Sequence, residues 1–286
     1  MKFKLSVITV SFNAELSIEK TIKNVIRNKN KDIEYIVIDG GSKDKTLQIL
    51  SGYRKFIDIL ISEKDNGMYD ALNKGIKNAS GQYVMLLAAD DQLIDGALQT
   101  ALGEIREDTD IYAGAIIQKT GYGYFYEKSD PNLEQLKVHC SLKNPASIFR
   151  REAFDKFGYY STEYKCSGDR ELFLRFYLNK ARFQVSDTPL VVFKMGGMST
   201  NLSDKAIPES KRLMIEYGLY SDETEQYYEK MTKHEKLKMK FLNKQIGRMI
   251  IQIGYSPVFY PLICLIKKRE NNRLSKMDRK KYNLDC

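Results

Sequence analysis

The stretch VMLLAADD, residues 84–91, decides the fold class of this chain. An apolar run of this length, bounded by polar residues, is typical of a buried strand. Asp90 and Asp91 end the run, and two adjacent carboxylates repel each other unless a cation lies beside them. The stretch therefore indicates a central strand that delivers negative charge to the edge of a core.

Residues 4–88 alternate between two hydrophobic patterns. Strand patterns of β-branched and apolar residues lie at 4–12, 33–42, 58–63 and 82–88. Helical patterns lie between them, at 14–28, 42–53 and 67–80. This alternation predicts an α/β fold with a Rossmann-like, mostly parallel central sheet and helices on both faces. In open sheets of this kind, ligands bind beyond the C-terminal ends of the strands.

The middle of the chain continues with both patterns. Paired strands are predicted at 110–118 and 121–127, and a last strand at 183–195. Helices are predicted at 151–158, ending at Gly158, and at 168–181, and the second of these has Asp169 in its first turn. An acidic residue in a first turn also stabilises a helix through its macrodipole, so position alone does not show that Asp169 is functional.

The composition argues against several classes of protein. The four cysteines form no C-x-x-C pair, which favours a reducing compartment over a disulfide framework. With only two histidines, a zinc site built from histidines is not expected. No phosphate-binding loop and no G-x-G-x-x-G motif after the first strand is present, which argues against P-loop NTPases and dinucleotide-binding enzymes.

Acidic side chains follow several of the predicted strands. Asp39 ends the second strand, Glu63 and Asp65 follow the third, and Asp90 and Asp91 follow the fourth. Asp also favours turns and caps, which accounts for any single position. The set as a whole predicts a site at one edge of the sheet. One or two carboxylates there suit Mn²⁺ or Mg²⁺, which complete their shell with water and substrate phosphate.

Four motifs resemble the family 2 glycosyltransferases, which have a GT-A fold. They are VITVSFN at 7–13, VIDGGSKDKT at 37–46, SEKDNGMYDALNKGIKNASGQYVMLLAADD at 62–91 and GDRELFLR at 168–175. The similarity is greatest to the bacterial branch that assembles capsule, exopolysaccharide and O-antigen units. It implies a catalytic domain at 1–205, with a nucleotide-sugar half at about 1–100 and an acceptor half at about 101–205.

The resemblance implies a role for each matching residue. Asp91 is expected to ligate the metal, and Asp90 to contact the ribose or a metal-bound water. Asp39 is expected to accept hydrogen bonds from the base. Asp169 falls where these inverting enzymes place the general base that deprotonates the acceptor hydroxyl. The remaining residues expected to contact the nucleotide or donor are Ser11, Phe12, Asn13, Asp65, Asn66, Tyr69, Asp70, Asn73 and Lys74.

This chain departs from the family pattern at two places. Asn144 stands where many relatives have a His before P-x-x-x-F-x-R, and an amide cannot carry a proton at neutral pH. Ala88 and Ala89 stand where relatives often have polar residues before the acid pair.

The predicted function is an inverting, metal-dependent hexosyl or N-acetylhexosaminyl transfer. The donor is a nucleotide-diphosphate sugar, expected to be uridine-linked, and the acceptor a hydroxyl of a saccharide on polyprenyl diphosphate. One alternative is a non-catalytic sugar-nucleotide-binding scaffold in a polysaccharide assembly complex. Another is a sugar nucleotidyltransferase, although such enzymes usually have a glycine-rich loop where this chain has SFNAELS at 11–17.

The C-terminal region, 206–286, is predicted to be basic and helical. Residues 231–286 contain 14 Lys and Arg against 4 Asp and Glu, which favours an anionic membrane surface through 233–281. The uncharged stretch 249–266 contains Gly254, Pro257 and Pro261, so interfacial docking is preferred over packing on the catalytic domain or a span. No basic-aromatic module suggests a nucleic-acid partner. The expected location is cytoplasmic, peripheral on the inner face of the cytoplasmic membrane.

Overall fold

A computed structural model describes residues 3–120, 123–194, 203–230, 274 and 276–284. Nine strands form one sheet in the order β3-β2-β1-β4-β8-β6-β9-β5, and β7 pairs with β6 beside this path. In chain order, β1 to β9 are Leu5–Ser11, Ile33–Asp39, Ile59–Ser62, Tyr83–Ala88, Gln92–Leu93, Ile111–Thr120, Gly123–Glu127, Ser147–Arg150 and Phe183–Lys194.

Nine α-helices are described in these ranges. In chain order, α1 to α9 are Ile18–Asn28, Thr46–Gly52, Met68–Asn78, Ala97–Glu104, Arg151–Phe157, Gly168–Leu178, Ser203–Glu216, residues 222–230 and Lys276–Lys281. The predicted helices at 14–28, 67–80 and 168–181 are confirmed as α1, α3 and α6, each shorter by a few residues.

The sheet has two halves of different character. The strands β3, β2, β1 and β4 are all parallel, as the sequence predicts. Beyond β4 the sheet becomes mixed, because β8 is antiparallel to both β4 and β6. The prediction of a mostly parallel sheet is confirmed, because β6 and β9 run in the same direction as these four strands and only β5, β7 and β8 are antiparallel to them. The antiparallel β8 pairs beside β4 through a long-range contact that local hydrophobic patterns do not encode.

Alternate residues of the parallel strands face two separate layers of helices. On β4, Met85 and Leu87 belong to one buried cluster with side chains of α1, α2 and α4. Val84 and Leu86 point the other way, into a second cluster with side chains of α3, α5, α6 and α7. Since side chains alternate along a strand, the continuous apolar run in VMLLAADD is the consequence of burial on both faces.

Part of the predicted C-terminal region packs against the sheet. Leu213 and Met214 of α7 are buried in the second cluster, and Tyr228 of α8 receives a hydrogen bond from Arg170 of α6. Leu284 packs on the opposite face. In the described ranges, no helix has the length and apolar character needed to cross a membrane. The predicted docking stretch 249–266 lies outside the described residues, and the domain boundary at 205 stays a prediction.

Candidate active site

Asp39, at the end of β2, is fully buried and its carboxylate is bonded by the protein itself. Oδ1 accepts hydrogen bonds from Ser11 Oγ (3.2 Å) and from Ser42 Oγ. Oδ2 accepts from Ser62 Oγ (2.8 Å) and from the N–H groups of Gly41 (3.2 Å) and Ser42 (3.0 Å). These bonds compensate the buried charge and join the ends of β1, β2 and β3 to the turn after β2.

The turn after β2 also gathers two neighbouring segments. The N–H of Asn13 donates to Ser42 Oγ (2.8 Å), and Asn13 Oδ1 accepts from the N–H of Lys43 (2.8 Å). Asp65 comes so close to Gly40 that a Cβ there would lie 2.3 Å from Asp65 Oδ2. Residues predicted to contact the nucleotide therefore meet at the ends of β1 and β2: Ser11, Asn13, Asp39 and Asp65.

Further residues predicted to contact the donor lie on more exposed positions. Phe12, just after β1, is 52% exposed, which leaves its ring available for stacking. Asp70 Oδ2 on α3 accepts from the N–H of Asn66 (3.0 Å). Lys74 Nζ lies 2.9 Å from Glu63 Oε1 and 3.6 Å from Asp70 Oδ2. The start of α3 thus carries a charged network, while its contact with a donor stays a prediction.

Asp91 is buried with an unpartnered oxygen. Its side chain is 2% exposed, and Oδ1 has no hydrogen-bond partner among the described residues. Burial raises the pKa of this carboxyl to about 8, and the neighbouring charge of Asp90 contributes in the same direction. Helix α1 fixes the segment, because Thr21 Oγ1 donates to the carbonyl of Asp91 (3.0 Å) and the Asn24 amide pairs with the backbone of Leu93.

The pair Asp90 and Asp91 fits a divalent cation. A buried carboxylate oxygen without a donor is costly unless it is paired with positive charge or coordinates a metal. Carboxylate oxygens suit Mn²⁺ and Mg²⁺. Within the described part of the chain, no group of three or more His, Cys, Asp or Glu side chains forms a metal site. A cation held by this pair would therefore have to take its remaining ligands from water and phosphate.

Asp90 also lines a cavity of about 330 Å³ between α1, the far end of the sheet and the C-terminal segment. Five basic residues line it: Lys20, Lys23, Arg27, Lys119 and Lys194. Lys23 pairs with Glu19 and Arg27 with Asp95, whereas no ion pair of the other three is present among the described residues. The sequence reasoning missed these cations, although the spacing 20, 23 and 27 places three of them on one helical face.

Asp169 lies in the first turn of α6, as predicted, with a half-buried side chain. Asn144 Nδ2 donates to Asp169 Oδ1 (2.9 Å), and Oδ2 has no hydrogen-bond partner among the residues that the structure describes. Burial raises the pKa of this carboxyl to about 7, and the hydrogen bond from Asn144 opposes the rise. A carboxylate that titrates near neutral pH, with one oxygen unbonded, is suited to accept a proton.

Two residues predicted to contact the donor, Tyr69 and Asn73, also support the surroundings of Asp169, and their contact with a donor stays a prediction. Tyr69 is 3% exposed, and its hydroxyl accepts from the N–H groups of Gly168 (3.0 Å) and Asp169 (3.4 Å). A Cβ at Gly168 would lie 2.6 Å from the Tyr69 ring, so only glycine allows this approach. The Asn73 amide bonds both the N–H and the carbonyl of Tyr160. The sequence carried no signal for Tyr160.

The geometry brings the predicted residues into three groups: the turn at Asp39, the acid pair, and the half-buried Asp169. All three belong to elements at or near the C-terminal edge of the parallel strands. Residues 6–178 match the sequence profile of the family described as Glycosyl transferase family 2.

The chain belongs to glycosyl transferase family 2.

The match extends from β1 to α6 and so contains every residue of these groups. The mixed sheet with helices on both faces fits the GT-A fold.

Two bacterial relatives illustrate the likeness to family 2 members. The "PGL/p-HBAD biosynthesis glycosyltransferase" of Mycobacterium bovis (strain BCG / Pasteur 1173P2) is 26% identical over 226 residues, covering 73% of this chain and 86% of the relative. The "GalNAc(5)-diNAcBac-PP-undecaprenol beta-1,3-glucosyltransferase" of Campylobacter jejuni is 34% identical over 123 residues, covering 41% of this chain and 40% of the relative.

Two solved structures show the same fold. TarS 1-349 of S. aureus, in complex with UDP-GlcNAc, superposes with a TM-score of 0.62 at 22% identity, covering 80% of this chain and 70% of that chain. The mannosyltransferase PcManGT of Pyrobaculum calidifontis, in complex with GDP-Man and Mn²⁺, gives a TM-score of 0.55 at 14% identity, with coverages of 92% and 83%. At these identities the likeness concerns the fold alone.

Proposed function

We propose that this glycosyltransferase transfers a sugar, with inversion at the anomeric carbon, from a uridine-diphosphate sugar to a hydroxyl of a lipid-linked saccharide. The observation that carries the proposal is Asp169, whose carboxyl has a pKa of about 7 and one oxygen without a hydrogen-bond partner among the described residues. Such a group is ionised for a large fraction of the time at neutral pH and still accepts a proton readily.

The chemistry needs a single displacement. The acceptor hydroxyl oxygen attacks the anomeric carbon, and its proton passes to Oδ2 of Asp169. The bond from the anomeric carbon to the diphosphate oxygen breaks, and the nucleoside diphosphate leaves with that electron pair. No nucleophilic side chain takes part, so the contribution of the protein is to hold the two substrates in line and to accept the proton.

Asp91 and Asp90 would hold Mn²⁺ or Mg²⁺. When bound, the cation neutralises negative charge on the departing diphosphate. The unpartnered Oδ1 of Asp91 supports this assignment. Three of the basic side chains around the cavity beside Asp90, those of Lys20, Lys119 and Lys194, form no ion pair among the described residues and add positive potential there, which favours an anionic ligand such as a nucleotide diphosphate.

The donor half of the proposal is supported by the turn at Asp39. Asp39 and Ser11 fix the backbone on which the exposed ring of Phe12 stands, and that ring is suited to stack on a base. TarS, which shares the fold, is known in complex with UDP-GlcNAc. A nucleotide-sugar donor accords with that complex, and the uridine base is part of the proposal that the donor panel tests.

The acceptor half is supported by a relative and by the charge of the C-terminal region. The name of the Campylobacter relative states an undecaprenol-linked acceptor. Residues 231–286, with 14 basic and 4 acidic side chains, suit the anionic inner face of the cytoplasmic membrane, where a polyprenyl-linked saccharide would be reached. We place the protein there as a peripheral protein in cell-surface polysaccharide synthesis.

The proposal is tested with purified full-length protein, Mn²⁺ and a panel of nucleotide sugars. The acceptor is a saccharide on polyprenyl diphosphate, and the product is separated by chromatography and its anomeric configuration read by NMR. We expect transfer with one uridine-diphosphate sugar and a product of inverted configuration. Retained configuration would overturn the single displacement, and undiminished turnover in EDTA would overturn the role of the cation.

A further inference from the structure

We propose that Asn144, oriented by Tyr160, positions the carboxylate of Asp169 for proton transfer. Asn144 Nδ2 donates to Asp169 Oδ1 (2.9 Å), and Tyr160 Oη donates to Asn144 Oδ1 (3.2 Å). The inference rests on the proposed function, because it concerns the base of that reaction. It gives the amide at 144 a defined role at a position where many relatives carry a His.

The hydroxyl of Tyr160 decides which end of the amide faces Asp169. An Asn side chain carries one acceptor and one donor group, and a phenol that donates to Oδ1 leaves Nδ2 to point at the carboxylate. Burial raises the pKa of Tyr160 well above its usual value, and the charge of Asp169 adds to this, so the hydroxyl keeps its proton at working pH. The two hydrogen bonds therefore run in one direction: Tyr160 donates to Asn144, and Asn144 donates to Asp169.

Tyr160 is itself fixed from α3. Its backbone N–H and carbonyl bond the two ends of the Asn73 amide (3.0 and 2.8 Å), and its ring stacks on Tyr69 with centroids 5.3 Å apart. Tyr69 Oη accepts from the N–H of Gly168 at the start of α6. The support of Asp169 thus joins two helices, and neither partner of the Asn144 amide is free to turn away.

The other charged and titratable groups around Asp169 are few. Tyr69 on α3 and Tyr160 face it, and Cys140 lies near enough to interact with its charge. On α6 itself, the neighbouring Arg170 directs its guanidinium to the Val138 carbonyl and Tyr228 Oη. Lys143, from the segment before Asn144, pairs with Glu127.

Asp169 is therefore the group of this cluster that titrates near neutral pH. An amide donor favours the ionised carboxylate and has no titration of its own in this range, whereas an imidazole would add one. With Mn²⁺ at saturation, which would keep Asp91 ionised, the acid limb of the pH–rate profile should then report Asp169.

The experiment compares the pH dependence of kcat for wild type, Asn144→Leu, Asn144→His and Tyr160→Phe. Asn144→Leu removes the donor at similar volume, so we expect the acid limb to move to higher pH by about one unit or more, with KM for the donor unchanged. Tyr160→Phe should give a smaller shift in the same direction. Asn144→His restores a ring N–H, so its limb should lie nearer to wild type than that of Asn144→Leu, with the titration of the imidazole added to it.

The matched control is Asn179→Leu, at the opposite end of α6, where the amide bonds only the Arg175 carbonyl among the described residues. Its acid limb should coincide with that of wild type. The inference is overturned if Asn144→Leu also keeps the wild-type limb while kcat and Tm fall together, because that result shows a purely structural role. If Asn144→Leu does not fold, the shift in Tyr160→Phe decides in the same way.

A readout besides turnover separates this inference from the proposed function. The Asp169 carboxyl can be titrated by ¹³C NMR in protein labelled at aspartate, with Asp169→Asn providing the assignment. A wild-type protein that transfers no sugar would remove the proposed function. The positioning role would still stand if the Asp169 pKa rises in Asn144→Leu, and would fall if it does not.

Discussion

Two buried carboxylates lie at the C-terminal ends of parallel strands and differ in how their oxygens are bonded. Asp39 after β2 and Asp91 beyond β4 are both almost completely buried, at 0% and 2% exposure. Asp39 accepts five hydrogen bonds from the protein, whereas Asp91 Oδ1 has no partner among the described residues. The two residues are almost equally buried, and they differ in the hydrogen bonds that their carboxylate oxygens accept.

The difference indicates which carboxylate is compensated by the protein and which is available to a cation. A buried carboxylate with its full set of donors stabilises its own turn and needs nothing more. A buried carboxylate without them costs free energy until a cation arrives. Asp169 is intermediate, because Asn144 donates to one of its oxygens and the other has no partner within the described part of the chain. Asp39 thus supports its own turn, and its contact with the base stays a prediction, whereas Asp169 is the proposed proton acceptor and Asp91 the proposed metal ligand.

The largest effect is expected at Asp169. Asp169→Asn keeps the size of the side chain and removes the base, so kcat should fall by about a thousandfold, within the usual range for general bases. Donor affinity should stay close to wild type, measured by UDP binding in calorimetry. Turnover close to the wild-type rate in this variant would remove Asp169 from the reaction.

The next effect is expected at Asp91. Asp91→Asn should lower kcat by about a hundredfold or more, because the cation loses a ligand and the leaving diphosphate loses its compensation. Without metal, the melting temperature should be equal to or above that of wild type, since the cost of burying an ionisable carboxyl with a raised pKa is gone. Activity and thermal unfolding are measured on the same preparation. A large loss of stability would show that Asp91 is a structural residue like Asp39.

Asp39→Asn should lower the stability of the protein, whereas Asp91→Asn should leave it equal or higher. The amide cannot accept all five hydrogen bonds, so the free energy of unfolding should fall by about 2–3 kcal/mol. The measurement is denaturant unfolding. The matched control is Asp187→Asn on the surface, whose ion pair with Lys128 is exposed and should be worth less than about 1 kcal/mol. Equal losses in both variants would contradict the structural role of Asp39.

The smallest effect concerns pH. The pKa of the Asp169 carboxyl is raised to about 7, so the group is ionised above this value and protonated below it. Well below pH 7, kcat should therefore fall about tenfold for each pH unit as the base is lost. A profile that is flat between pH 5 and 8 would contradict the assignment, with enzyme stability checked at each pH.

The parallel half of the fold was predictable from the sequence because its signals are local. Strands buried on both faces give continuous apolar runs, and the helices between them give a different period. The antiparallel β8 between β4 and β6 was not predictable, since it depends on pairing Met85 with Ile148 across the chain. The two-residue strand β5 is too short to give a pattern.

The candidate site, like the fold, combines features that local sequence patterns predict with contacts that they do not. Motifs located Asp90, Asp91 and Asp169 by their positions after strands and in a first turn. The contact between Asn144 and Asp169 joins residues 25 positions apart, and the support from Tyr160 depends on a turn whose conformation local patterns do not encode. Sequence reasoning could note that Asn144 is unusual, but only the folded chain shows what it bonds.

The most direct test of the central claim is a titration with Mn²⁺ followed by isothermal calorimetry, in the presence of UDP to supply phosphate oxygens. The account predicts saturable binding of one Mn²⁺ to wild type and to the control Asp187→Asn, and no measurable binding to Asp91→Asn. Binding of Mn²⁺ to Asp91→Asn with the affinity and stoichiometry of wild type would contradict it.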